Sequence, residues 1–117
     1  MSAKLAEVSE PRPSLTDRLG GLKTAAVPVK ILLADDHDIV RRGLRELINK
    51  RPEWKIVAEA CNGRDAVAKA AGTRPNVALL DISMPFLNGF EAARQILLER
   101  PDTKILILTV HESRSAT

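Results

Sequence analysis

The sequence predicts an α/β fold, an open doubly wound parallel sheet with strand order 2-1-3-4, on three observations. Short unbroken apolar runs alternate with segments of helical spacing, the connections between them are short, and the apolar runs end in polar, mostly acidic residues. Such alternation demands parallel strands, joined by helical crossovers lying on the faces of the sheet.

Residues 1–28 precede the pattern. Pro11, Pro13, Gly20, Gly21 and Pro28 interrupt them without any sustained period, so they read as a flexible leader, with the folded domain spanning 29–117. Ile31-Leu32-Leu33-Ala34 is then a strand apolar on both faces. Val40, Leu44, Leu47 and Ile48 recur at helical spacing, and Pro52 closes that helix. Trp54–Ala60 is a second strand, interrupted by Lys55 and Glu59 as an edge strand should be. Asn62 to Asp65 can cap a helix carrying Ala66, Val67, Ala70 and Ala71, which Gly72 and Pro75 stop. Val77–Leu80 is the third strand. Asn88 with Glu91 resembles a capping box for a helix through Phe90, Ala93 and Leu97, ended by Pro101. Ile105–Leu108 is the fourth strand.

Composition sets bounds. The chain has 117 residues, 44% hydrophobic and 28% charged, enough for one globular domain and too few for two. No apolar run approaches the roughly 20 residues of a membrane span, and no secretion signal opens the chain. A single cysteine, Cys61, excludes an internal disulfide and fits a reducing, cytoplasmic setting. The formal net charge of +3 is spread along the chain; Arg41, Arg42 and Arg45 read as a solvated helix face rather than a nucleic-acid surface. Trp54 and Cys61 read as packing residues, and His37 as facing solvent.

The chemistry lies at the strand ends. The first strand runs into Asp35-Asp36, the third into Asp81 and the fourth into Thr109. Open parallel sheets bind ligands beyond the carboxyl ends of their strands, where the strand order reverses. Order 2-1-3-4 makes the first and third strands neighbours, so the three acids should share one crevice. Their repulsion calls for a hard divalent cation with oxygen ligands, Mg²⁺ first. One carboxylate could also attack phosphorus to give an aspartyl phosphate. Asp38 reads as an acid at the positive end of the following helix.

Leu33-Ala34-Asp35-Asp36-His37, Asp81-Ile82-Ser83-Met84-Pro85 with Asn88-Gly89, and Leu108-Thr109 together resemble the receiver domains of two-component response regulators. The resemblance spans about residues 29–112 and implies the flavodoxin-like receiver fold. It implies that Asp81 is the phosphoacceptor for a sensor histidine kinase, and that Thr109 supplies a switch hydroxyl. It also implies that Mg²⁺ is held by Asp35, Asp36, Asp81 and the backbone carbonyl of Ser83. Met84, Pro85 and Gly89 would shape the loop beside the site, with Gly89 able to take positive φ. Asp-Asp-His, Arg41-Arg42-Gly43-Leu44 and Glu59-Ala60-Cys61-Asn62-Gly63 are most similar to the NarL/FixJ group, whose members regulate transcription through a separate DNA-binding output domain.

One departure qualifies the resemblance. A receiver ends with a further helix, a fifth strand bearing a phosphoryl-binding Lys, and a last helix, whereas no Lys follows Thr109 here. The domain is therefore expected to be incomplete at its C-terminus. Ile105–Leu108 should be a bare apolar edge, open to homo-association, and the third and fourth strands should lack cover on the first helix's face. Two other readings stand beside the phosphoacceptor: an unphosphorylated receiver acting as a protein-binding module, and a haloacid-dehalogenase-like phosphatase in which Asp36-His37-Asp38-Ile39-Val40 supplies the nucleophile Asp36.

Overall fold

The computed structural model describes residues 2–7 and 27–111. In chain order the elements are β1 (Ser2–Glu7), β2 (Val29–Ala34), α1 (Asp38–Asn49), β3 (Trp54–Ala60), α2 (Gly63–Thr73), β4 (Val77–Asp81), α3 (Gly89–Glu99) and β5 (Lys104–His111). The sheet runs β1-β5-β4-β2-β3. Its four parallel strands, β3-β2-β4-β5, reproduce the expected order 2-1-3-4.

Strand alternation builds two cores. Leu32 and Ala34 of β2, Ala78 and Leu80 of β4, and Ile105 and Ile107 of β5 pack under Ala66 and Ala70 of α2 and Ala92, Ala93 and Ile96 of α3. The intervening residues Leu33, Leu79 and Leu108 face the other way, with Val40 and Leu44 of α1 and with Ile56. Period-2 alternation thus serves two layers from one run, which is why Ile31–Ala34 of β2 and Val77–Leu80 of β4 are apolar throughout. The helix starts follow the sequence: Asn62 accepts from Asp65 N–H at 2.8 Å and Asn88 from Glu91 N–H at 2.9 Å. The capping box is only half formed, because the Glu91 carboxylate turns to Arg94 instead. Gly72 does not stop α2; the helix runs to Thr73, and Arg74 leaves it at φ 52° just before Pro75. Cys61 is exposed rather than packed.

Two expectations need correction. The leader is not featureless, since Ser2–Glu7 forms β1, antiparallel to β5 from Ser2↔His111 to Glu7↔Leu106; positions 8–26 lie outside the described residues. The fourth predicted strand is consequently no bare edge, and its expected homo-association loses its premise. Backbone N–H and C=O groups make this pairing, so it needs no apolar signature in the Ser2–Glu7 sequence. Nor is the first helix's face uncovered, because Leu79 and Leu108 are buried in the second core. Removing residues 1–7 should expose the β5 edge. Light scattering is expected to show concentration-dependent self-association of the shortened chain but not of the full one; equal behaviour would contradict the edge-covering role.

Candidate functional site

The carboxyl ends of β2 and β4 lie side by side, because Ala34 pairs with Leu80 in parallel register. Each strand runs one residue further into an acid. Asp35 stays tied to the sheet by donating its N–H to Ala60 O at 3.0 Å, and Ile82 N–H donates to Leu108 O at 3.0 Å just past Asp81. Asp35 and Asp81 are both fully buried, while Asp36 is partly exposed. The expected gathering of Asp35, Asp36 and Asp81 is found.

His37 joins them through Nδ1 while its ring stays about half exposed, so the expected solvent exposure holds and the contact with the acids is added to it. Ligand atoms of Asp35, Asp36, His37 and Asp81 lie within 4.8 Å of one another. His37 Nδ1 is 2.8 Å from Asp35 Oδ1, 3.2 Å from Asp36 Oδ1 and 3.7 Å from Asp81 Oδ2. The His37 backbone N–H also donates to Asp35 Oδ1 at 2.7 Å. His37 occupies the N-cap of α1, yet its side chain makes no capping bond. The hydrogen bond to Asp35, aided by the charges of Asp35, Asp36 and Asp81, raises the imidazole pKa against the opposing effect of burial.

Asp81 experiences the reverse pressure. Burial first, then repulsion from Asp35, pushes its carboxyl up to about 6, against partial relief from the Ser83 N–H; Asp36 adds to the upward push. That N–H lies 3.4 Å from Asp81 Oδ1. Asp35 Oδ2 and Asp81 Oδ2 are buried without any hydrogen-bond partner. A buried carboxylate oxygen with no donor is costly unless a cation completes it, so these residues fit a hard divalent ion.

A second group of charges fixes the loop. Arg41 Nη1 donates to the Asp35 carbonyl at 2.7 Å, its Nη2 reaches Asp38 at 2.7 Å, and its Nε reaches Glu59 at 3.2 Å. Arg45 grips the same Glu59 carboxylate through Nε at 2.7 Å and Nη2 at 2.9 Å. These guanidiniums hold Glu59 below the usual carboxylate range, Arg45 foremost. Arg41 and Arg45 are thus not merely a solvated face, and Glu59 does more than mark an edge strand. Asp38 is 85% exposed and paired with Arg41, outside the acidic cluster, which leaves the phosphatase motif without its second acid.

The β4–α3 loop forms the other wall. Leu87 N–H donates to Pro85 O at 2.8 Å, closing a three-residue turn with Phe86 at φ 70°. Gly89, expected to allow positive φ, does not use it; its small size is needed instead, for a Cβ there would overlap the Asp81 carbonyl. Ser83 is exposed, two residues beyond Asp81. Thr109 is half-buried on β5, one residue past Leu108, the register partner of Asp81. Sequence reasoning missed His37, Arg41 and Glu59. The available signals were His37 directly after an acid pair and Arg41 one helical turn beyond.

A family model described as "Response regulator receiver domain" matches residues 31–117. The chain is 44% identical over 88 residues to the DNA-binding transcriptional activator DevR/DosR of Mycobacterium tuberculosis, covering 75% of this chain and 41% of that protein. It is 42% identical over 83 residues to the response regulator UvrY of Escherichia coli, covering 71% of this chain and 38% of the relative. These curated relatives are matched over about two fifths of their length. Among solved structures, a LuxR-family two-component response regulator from Aurantimonas is similar with a TM-score of 0.68 and 39% identity, over 73% of this chain and 61% of that one. The receiver domain of NarL from Mycobacterium tuberculosis also gives 0.68, at 27% identity, over 75% and 71% of the two chains. Among the described residues, no helix is long and apolar enough to cross a membrane.

Proposed function

Because this chain belongs to the response regulator receiver-domain family of two-component systems, we propose that it takes a phosphoryl group from a sensor histidine kinase onto Asp81. The observation that carries this reading is the buried Asp81 carboxyl beside Asp35 and Asp36, with one oxygen lacking any donor. An Asp81 carboxylate oxygen forms the new bond to phosphorus as the donor's bond to that phosphorus breaks, and the donor leaves with the bonding electrons. Placement and charge neutralisation dominate such a transfer. Bound Mg²⁺ would offset the charge of the phosphoryl oxygens, held by Asp35, Asp36, Asp81 and the Ser83 carbonyl. Arg41 fixes the loop that carries Asp35, and Thr109 stands on the neighbouring strand, where its hydroxyl would hydrogen-bond the phosphoryl group and report its arrival.

The output is transcriptional in this reading, through a DNA-binding domain distinct from residues 29–117, and the protein works in the cytoplasm. That its relative DevR/DosR is a DNA-binding transcriptional activator supports this assignment. Incubation with Mg²⁺ and a small acyl phosphate, followed by intact mass, tests the acceptor. One phosphoryl group should be gained by the parent chain and none by Asp81→Asn. A folded parent chain that gains nothing would point instead to a receiver acting only as a binding module. Retained labelling in Asp81→Asn with loss in Asp36→Asn would move the nucleophile to Asp36.

A further inference from the structure

The opposite rim of the sheet carries a second polar cluster. Ile31, Val77 and Lys104 stand side by side in the parallel register of β2, β4 and β5. Lys30, Asn76 and Thr103, each one residue earlier, therefore line up at the amino ends of these strands. Together with Asp102 and with Arg74 and Arg100, the C-caps of α2 and α3, they border a cavity of about 250 Å³. That volume lies below the roughly 300–1,000 Å³ of drug-sized ligand pockets, so the occupant is small. The walls offer mainly donors. Asn76 Oδ1 accepts the Lys30 backbone N–H at 2.8 Å, which leaves the amide NH₂ as a donor. Lys30 Nζ donates to Thr73 O at 3.2 Å and keeps two further N–H groups. Among the described residues, neither Arg74 nor Arg100 has its guanidinium in an ion pair or hydrogen bond. The Thr103 hydroxyl likewise makes no hydrogen bond among them, although the residue is only 4% exposed.

We infer that this rim binds a small oxyanion of the phosphate class, at the end of β4 opposite to Asp81. Charge decides the sign. Three cations, Lys30, Arg74 and Arg100, against the one acid Asp102 leave the lining at +2. The carboxyl ends of α2 and α3 oppose an anion by about half a negative charge each, so the balance stays positive. Guanidinium groups match phosphate with paired N–H donors, and both are uncommitted here. Thr103 sets the cavity apart from a merely solvated basic surface, because a buried hydroxyl without a partner costs free energy until a bound group or water meets it. Arg74 holds a left-handed backbone at φ 52°, a position where glycine ends helices at lower cost. The side chain placed there is thus the one whose removal should least disturb the fold.

Calorimetric titration of the full chain with inorganic phosphate, in metal-free buffer of low ionic strength, tests this. One phosphate should bind saturably, and more tightly than acetate. Arg74→Gly suits the left-handed backbone and should melt no lower than the parent chain, yet bind phosphate at least ~10-fold more weakly. Thr103→Val keeps the shape and the net charge but removes the hydroxyl, and should also weaken binding. Asp102→Asn removes the opposing acid and should strengthen it. Dichroism melts show that each variant is folded. No saturable uptake by the parent chain, or equal affinity of the parent and Arg74→Gly, overturns the inference. Parental affinity in folded Thr103→Val overturns it too, since only a diffuse field of surface charge would then attract the anion.

Discussion

Asp81→Asn should melt at a higher temperature than the parent chain at neutral pH without divalent ions, and the advantage should vanish in acid. The Asp81 carboxyl is pushed from its ordinary 3.8 up to about 6 in the folded protein, by burial first and by Asp35 second. A raised acid pKa means that the folded state holds its proton more tightly than the unfolded chain. Stability is therefore unaffected below about pH 4, falls as pH rises from about 4 to 6, and stays low above that. The shift of about 2 pH units corresponds to roughly 3 kcal/mol, at about 1.4 kcal/mol per unit. Asparagine keeps the size and removes the charge, and its amide can donate to the neighbouring carboxylates of Asp35 and Asp36. For a domain of this size the gain amounts to ~10 °C in melting temperature. Dichroism melts in chelator across that pH range measure it directly. Equal melting of the two proteins at pH 4 and pH 7 would show that the acidic cluster imposes no such penalty.

The same cluster shows what a sequence can and cannot reveal. Asp35, Asp36 and Asp81 were legible because strand order and the end of an apolar run are properties of short contiguous segments. Two buried strands that run into acids can be read without knowing a single rotamer. His37 was not legible in this way. Its position after the acid pair is plain, but whether its ring caps α1 or turns into the acids depends on a side-chain torsion. Glu59 was visible as an interruption of β3; its pairing with Arg41 and Arg45 spans 18 and 14 residues and depends on α1 crossing the edge strand. β1 left the weakest trace of all. A strand added to an existing edge is held by backbone hydrogen bonds, which Ser2–Glu7 can supply with almost any side chains. The positive φ of the loop was likewise assigned to Gly89 by residue type, whereas Phe86 adopts it, because the tight Pro85–Leu87 turn sets the backbone there.

Gly89→Ala and Gly63→Ala should each destabilise the fold severely, for reasons that concern the site itself. A Cβ at Gly89 would overlap the Asp81 carbonyl oxygen and stand 2.9 Å from its carbon and 3.0 Å from Ile82 Cα. All three are backbone atoms at the point where β4 hands over to the loop, so relief requires moving Asp81. At Gly63 the added carbon would overlap the Leu87 carbonyl oxygen and meet its carbon and Cβ at 2.6 Å. The first residues of α2 and α3 thus clamp the 82–88 loop from two directions. Overpacking that only backbone movement can relieve costs about 1–3 kcal/mol or more, against a total stability of about 5–15 kcal/mol. Gly43→Ala and Gly72→Ala provide the opposite sign. Nothing lies within 4 Å of a Cβ at either position, and both lie inside helices, so each should stabilise by roughly 0.5–1 kcal/mol. Because both clamp variants displace the same loop, the double variant should lose less than the sum of the singles. Urea denaturation of the parent chain and the five variants measures all of this. Gly89→Ala with parental stability and parental phosphoryl uptake would mean that the loop yields freely, and that Asp81 is not held in place by the helix packed against its carbonyl.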